Sequence, residues 1–485
     1  MSIENLSPQS LWSNFAALNA VPRPSKKEER VIQFMLDFGN NLGLETFTDK
    51  IKNVIIKKNA SPGFENRKTI ILQSHLDMVH QKNADTAFDF EQQGIEMLID
   101  GDWVRANGTT LGADNGIGVA AIMAVLASKD IKHPAIEAFF TIDEETGMTG
   151  AKEMEGSMFD GKILLNLDTE DDDELSIGCA GGIDTNTSYN YNEVDVHPES
   201  VQFEIKIRGL LGGHSGMDID KGRANANKLM TRILYHLNSI VEIQMLTFDG
   251  GSLRNAIPRE ATATIGCLID YKNELLAAFL AIKNEICLEF ASLEGAISIS
   301  IEEVNTDLKA VNNGDKERIL NTLYSVHNGV YRMSPDIADL VEASTSLARV
   351  LVKNGSFTTQ SLQRSSVESS KGDVANTIRS AFENMGCSVV QAGDYPGWQP
   401  NANSEILHIM ADLYREMYKD EPKIKACHAG LECGILGKHL PGVDMISFGP
   451  NIRAAHSPDE KVQISSVQKF WDYFLAALER IPVNN

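Results

Sequence analysis

Residues 69–77, TIILQSHLD, set an apolar run directly before a histidine and an aspartate, and residues 137–147, EAFFTIDEETG, set another before a group of acids. Short apolar runs of this kind read as buried strands. Ile51–Lys57 and Lys162–Leu167 read the same way, and residues 116–128, GIGVAAIMAVLAS, read as a helix rich in Ala, Ile and Val. Strand–helix alternation predicts an α/β domain with a mostly parallel sheet covered on both faces.

The texture changes in the middle of the chain. Val201–Arg208 alternates apolar and polar residues, as a half-exposed antiparallel strand does. Helix patterns follow at Asn225–Ile240 and Asn273–Leu293, and strand patterns at Val241–Phe248, Glu260–Ile269 and Ala296–Val304. A second set has strands near Ser346–Val352, Phe357–Arg364 and Ser388–Ala392, with a helix at Asp373–Met385. This predicts an inserted α+β lid of two ferredoxin-like halves side by side. The α/β texture then returns, with a helix at Ser404–Tyr418, a strand at Val443–Phe448 and a closing helix at Ser465–Ile481. The expected organisation is a catalytic domain in two parts, 1–185 and 397–485, with the lid at 186–396.

The 485 residues leave room for two to four domains. Hydrophobic residues at 42% and charged residues at 23% are globular values, so a disordered chain is not expected. Lys plus Arg is 44 against 67 Asp plus Glu, a balance of −23 that argues against nucleic acid or an anionic membrane as partner. Six sparse cysteines without framework spacing fit a reduced, cytoplasmic protein. The start, MSIENLSPQSLW, has neither a basic nor an apolar targeting region, and no run approaches a membrane span.

Loops at the carboxyl ends of strands in an open α/β sheet converge on one crevice. His75 and Asp77 follow the first of these strands, Glu144 and Glu145 the second, and Asp168 the third. Asp114 precedes the Ala-rich helix, and His456 follows the late strand. Taken singly, each has a plain structural reading. His75-Leu76-Asp77 would be a polar pair at a strand end, Glu144-Glu145 a solvated turn, and Asp114 a helix N-cap. Asp168 would start the acid run 170–174, and His456 would cap a loop. Jointly they place several carboxylates together, where they repel and resist ionisation unless a cation intervenes. Imidazole with carboxylate suits zinc, with cobalt or manganese as substitutes. Two histidines and several acids exceed one four-coordinate zinc and suit two ions about 3.5–4 Å apart.

Other motifs carry less. The glycines around Asp114 lack dinucleotide-loop spacing. Cys427-His428 with Cys433 lacks the second cysteine pair of a thiol zinc site and reads as buried thiols. Residues 212–216, GGHSG, are a turn or a loop that reaches substrate. Serine-hydrolase and zincin motifs are absent from the sequence.

In order, His75-Leu76-Asp77, Gly112-Ala113-Asp114-Asn115, Glu144-Glu145-Thr146-Gly147, Asp168, Gly212-Gly213-His214-Ser215-Gly216 and His456-Ser457-Pro458-Asp459-Glu460 resemble the motifs of the aminoacylase/carboxypeptidase superfamily of di-zinc hydrolases. Longer motifs at 108–116, 178–182, 253–260, 395–400 and 428–434 resemble, within it, the bacterial aminoacyl-histidine dipeptidases, along essentially the whole chain. The resemblance implies that His75 and Asp168 hold one zinc and Glu145 and His456 the other, with Asp114 bridging. Asp77 would orient the His75 ring. Glu144 would be the general base, and His214 and Asn255 would reach from the lid toward the scissile carbonyl. Arg364 would lie where the substrate's terminal carboxylate binds. One departure is His80, where the superfamily often has proline.

The implied activity is hydrolysis of dipeptides, preferentially Xaa-His such as β-alanyl-histidine. An N-acyl amino acid deacylase or an aminotripeptidase would use the same metals. A binding protein that had lost its metals would be expected to lack some of the five ligands or Glu144, and none is missing. The expected partner is a small peptide. Members of the superfamily pair through the lid or act as monomers, so a homodimer is compatible with the resemblance.

Overall fold

The run Ile70–His75 is buried at every position and lies inside an eight-stranded sheet of the computed structural model, which describes residues 2–484. From one edge the order is Glu45–Thr48, Val54–Lys58, Ile136–Thr141, Ile70–His75, Ile163–Asn166, Asp444–Ser447, Glu174–Cys179 and Lys423–Cys427. The strands from Ile136–Thr141 to Asp444–Ser447 are mutually parallel. Glu45–Thr48, Val54–Lys58 and Glu174–Cys179 pair antiparallel, so the sheet is mixed and its parallel part is central. The register sets His75 against Thr141, and Asn166 against both Gln73 and Ser447. The parallel strands therefore end nearly level, and the segments after them leave from one edge.

The helix Ala113–Ala127 is buried from Asn115 through Leu126. It has no polar face because neither side meets water: it packs on Ile70–His75 and is covered by the helix Gln9–Asn19. Its approach to the sheet is close. A Cβ at Gly118 would stand 2.6 Å from the Leu167 carbonyl oxygen and 2.5 Å from Ser74 Oγ. This closeness brings the Asp114 turn beside the strand end that leads to Asp168. A separate four-stranded sheet runs Ile452–Arg453, Lys461–Gln463, Trp103–Ala106, Met97–Asp100. It fixes both ends of the loop that carries His456.

The chain divides into two compact units. The first holds the described residues up to Gly178, Trp398–Ala426 and those from Leu431 onward; the second is Cys179–Gly397 with Cys427–Gly430. The second unit contains one nine-stranded antiparallel sheet. Its order is Ser298–Val304, Ser200–Arg208, Ala261–Leu268, Gln244–Gly250, Val341–Lys353, Ser356–Ser365, Gly181–Asn190, Ser388–Tyr395, with Gly329–Met333 also on Val341–Lys353. Each half is strand–helix–strand–strand–helix–strand, the ferredoxin-like order. The halves join where Gln244–Gly250 pairs with Val341–Lys353. They are nested in sequence: Gly181–Asn190 is the first strand of the outer half, and the inner half is inserted after it. That strand starts before residue 186, so the second unit begins ahead of the boundary expected for the lid. No helix among the described residues is long and apolar enough to cross a membrane.

Gly118→Ala tests the close helix–sheet approach. On helix propensity alone the change is stabilising by about 1 kcal/mol. Here the added methyl meets backbone, so net destabilisation of about 1–3 kcal/mol is expected, read as a lower unfolding midpoint.

Candidate metal centre

His75 is the last residue of its strand and is 1% exposed. Its Nδ1 lies 3.1 Å from the Asp77 carbonyl oxygen and 3.5 Å from Asp77 Oδ1. The Asp77 carboxylate is fully buried. Oδ1 accepts the Glu144 N–H at 3.0 Å, while Oδ2 accepts the Glu145 N–H at 3.2 Å and the Ser25 hydroxyl at 2.8 Å. One carboxylate thus stands behind the imidazole and satisfies the free N–H groups that open the short helix Glu144–Gly147.

Asp114 faces two histidines. Its Oδ1 is 3.2 Å from His75 Nε2 and its Oδ2 is 3.2 Å from His456 Nε2. On the His75 side, Asp168 Oδ1 lies 3.6 Å from the same Nε2. On the His456 side, Glu145 Oε2 lies 3.0 Å from Nε2. Three groups have ligand atoms within 4.8 Å of one another: His75, Asp114 and Asp168; His75, Glu144 and Glu145; and Asp114, Glu145 and His456. The backbone of His456 is left-handed, with φ 64, and so is that of Asp143, at φ 53, just before Glu144. Such conformations in non-glycine residues are held by their surroundings and cluster at functional sites.

Two buried charges brace these loops. The Glu460 carboxylate accepts the N–H groups of Leu111 at 2.7 Å, Gly112 at 2.9 Å, Ala113 at 2.8 Å and Asp114 at 3.2 Å. Arg23, 1% exposed, donates to the carbonyls of Leu76 at 3.0 Å, Asp77 at 3.2 Å and Gly112 at 2.6 Å. It ties the His75 loop to the Asp114 loop. Neither residue has a role legible in the sequence; Glu460 ends the His456–Glu460 motif, whereas Arg23 has no local signal.

The charges do not balance among themselves. Burial opposes charge on His75, but Asp168, Asp114 and Asp77 outweigh it and hold the ring well above its usual range. Asp114 and Glu145 push His456 up to about 11. Burial and nearby carboxylates hold Glu144 and Asp168 well above the ordinary acid range. Asp114 is held well below it, because its two histidines outweigh its burial. Asp168 Oδ1 is buried without a hydrogen-bond partner. A donor set of imidazoles and carboxylates with a bare buried oxygen fits divalent cations, which take the place of the protons this cluster otherwise retains.

In the second unit, a two-stranded ribbon pairs Gly213–His214 with Ala256–Ile257, and the Asn255 carbonyl accepts the Ser215 N–H at 2.9 Å. This brings the predicted His214 and Asn255 together. His214 Nδ1 accepts the N–H groups of Gly216 at 3.2 Å and Met217 at 3.0 Å, so the ring proton belongs on Nε2. Burial, then Arg364, lowers His214 to about 4, which keeps it neutral. Arg364 Nη2 approaches that Nε2 at 3.3 Å, Nη1 donates to the Tyr395 hydroxyl at 2.8 Å, and the buried Nε has no acceptor. Two donors, Nε2–H and the guanidinium, therefore face each other beside an unfilled demand for an acceptor. Tyr395 opens the 395–400 motif, whose sequence alone gives it no role. His428 Nε2 is 2.8 Å from Ser344 Oγ, and among the described residues it joins no group that could hold a metal.

Glu460→Gln replaces an acceptor of four N–H groups with a group that also donates. A loss of about 1–3 kcal/mol in stability is expected, with reduced metal content, measured by denaturant titration and elemental analysis.

The sequence profile described as peptidase family M20/M25/M40 matches residues 71–480. The chain is 39% identical over 481 residues to the cytosol non-specific dipeptidase of Escherichia coli (strain K12), covering 99% of each. Among solved structures it is similar to aminoacylhistidine dipeptidase from Vibrio alginolyticus, with 43% identity, TM-score 0.95, and coverage of 100% of this chain and 99% of that one. A tripeptidase of Staphylococcus aureus shares the fold at 15% identity and TM-score 0.56, covering 98% of this chain and 99% of that one. With its imidazole–carboxylate cluster gathered at the ends of the central parallel strands, the chain belongs to peptidase family M20/M25/M40 and is a peptide-bond hydrolase.

Proposed function

We propose that the chain is a dipeptidase that uses two divalent ions, zinc in the first instance, and prefers Xaa-His dipeptides. The observation that carries this reading is Asp114, whose two oxygens each face a different histidine at 3.2 Å. That arrangement suits a carboxylate shared by two ions, one with His75 and Asp168, the other with Glu145 and His456. Bound there, the ions supply Lewis-acid polarisation of a carbonyl and a water acidified toward neutrality. Asp77 orients the His75 ring and, through the Glu144 and Glu145 N–H groups, holds the acidic pair in place. Glu145 faces His456 and Glu144 does not, which supports ligand and base respectively. Glu144 then takes the proton of the attacking water and passes it to the leaving amine.

His214 and Arg364 are proposed for substrate from their geometry within the second unit. The neutral His214 presents Nε2–H as donor to the developing oxyanion, a role typically worth a few kcal/mol. The Arg364 fork, steadied by Tyr395, takes the terminal carboxylate. Asn255, next to His214 on the ribbon, is assigned to the carbonyl as well. The names of both relatives support the dipeptide reading; the Xaa-His preference is supported by the Vibrio alginolyticus relative's name, whereas the Escherichia coli relative is named as non-specific. A cytoplasmic location is proposed with them, supported by the sparse cysteines and the first relative's name.

Glu144→Gln keeps shape but accepts no proton. It should retain both ions and lose about 100-fold or more in kcat, whereas Glu145→Gln should lose metal. Full activity in Glu144→Gln would reverse the assignment. Arg364→Ala should raise KM for free dipeptides, and amidation of the substrate C-terminus should harm the wild type far more than this variant. Equal cleavage of amidated and free dipeptides by the wild type would dismiss the clamp, and faster turnover of N-acetyl amino acids than Xaa-His would favour a deacylase.

A further inference from the structure

Buried polar side chains cross the sheet just inside the ends of its parallel strands. Glu432, the first residue of the helix Glu432–His439, is 1% exposed. Its Oε2 accepts Gln73 Nε2 and the Thr141 hydroxyl, each at 2.7 Å. Gln73 Oε1 accepts Asn166 Nδ2, and Asn166 Oδ1 accepts the Ser447 hydroxyl. The chain of bonds thus touches each of the four parallel strands. Gln73 lies two residues before His75, Thr141 three before Glu144, and Asn166 two before Asp168.

Both donors to Glu432 are neutral, so neither supplies positive charge. The second oxygen, Oε1, is buried with no hydrogen-bond partner. A carboxylate placed this way is costly unless a cation faces it. Burial pushes Glu432 up to about 7, so without a cation beside it the group holds a proton part of the time; its negative charge, when present, acts on His75, Glu144 and Asp168. Its bond to Gln73, and through Gln73 to Asn166, sets it beside the strand ends that lead to His75 and Asp168.

We propose that Glu432 is a positioning residue of the metal centre: its carboxylate, held in place by Gln73 and Thr141, supplies negative charge behind the ion held by His75 and Asp168. The inference rests on the two-ion reading above. Residues that back up metal ligands in this way set affinity as well as geometry.

Charge and shape separate in two variants. Glu432→Gln keeps the size and an acceptor but removes the charge. Glu432→Asp keeps the charge but draws it back from Gln73 and Thr141. Zinc affinity of the metal-free full chain is read by competition with a chromophoric chelator, and melting of the metal-free protein reports folding. Glu432→Gln should bind one of two zinc ions about 10-fold or more weakly, with Glu432→Asp between it and the wild type. Affinity of Glu432→Gln within about twofold of wild type for both ions overturns the proposal, against the 10-fold or larger loss it requires. So does Glu432→Asp binding more weakly than Glu432→Gln, because hydrogen-bond shape would then decide. Should Glu432→Gln fail to fold, Thr141→Val takes its place. That variant removes a donor and leaves the charge, so a loss of about 10-fold in zinc affinity overturns the proposal and near-wild-type affinity supports it. A wild type that takes up one zinc or none defeats the two-ion reading itself, whatever the Glu432 variants do.

Discussion

Asp114 stands between two histidines, each 3.2 Å away, with Asp168 and Glu145 at the far sides of those rings. Packing that many acids into one place is unfavourable for a protein on its own. Burial and the neighbouring carboxylates raise Glu144 and Asp168, and the acids lift His75 and His456, which amounts to a standing demand for positive charge. Divalent cations meet that demand better than protons do, because they order the ligands as well as neutralise them. Much of the surrounding architecture holds these groups together against their own repulsion.

The bracing is built from buried hydrogen bonds. Glu460 gathers four successive N–H groups around the turn that presents Asp114. Asp77 does the same for the N–H groups of Glu144 and Glu145. Arg23 joins the two loops through their carbonyls. Charge-assisted bonds of this kind are stronger than neutral ones, and leaving one unmade inside the protein is costly, so each loop has one low-energy position. The nested second unit follows a separate logic. Its antiparallel sheet is a platform for a short ribbon where His214 and Asn255 meet, and for Arg364 one strand away.

The apolar runs before His75, Glu144 and Asp168 were legible because strands buried on both faces leave continuous apolar stretches. The helix beginning near Asp114 was legible because it is buried all round. The strand Gly181–Asn190 was not. Its sequence, GGIDTNTSYN, turns polar residues inward. Thr185 bonds Gln363 at 2.6 Å and Thr187 bonds Thr359 at 2.7 Å, contacts that no local hydrophobic pattern reveals. Missing that strand hid the nesting of the two halves. The small sheet that fixes the His456 loop was missed for a similar reason, since two of its strands are only two and three residues long.

By itself the sequence determined the inventory and its order: which histidines and acids follow which strand, and hence that one edge of one sheet carries them. That much is set by local pattern and by the rule that parallel strands end at the same edge. The tertiary structure alone decided that Asp114 faces both histidines, that His214 Nδ1 meets two backbone N–H groups, that Glu460 and Arg23 brace the loops around the cluster, and that Glu432 is buried against Gln73 and Thr141. The reason is distance along the chain. Glu460 meets its partners 346 to 349 residues away and Glu432 meets Gln73 across 359, so these bonds exist only once the sheet has closed.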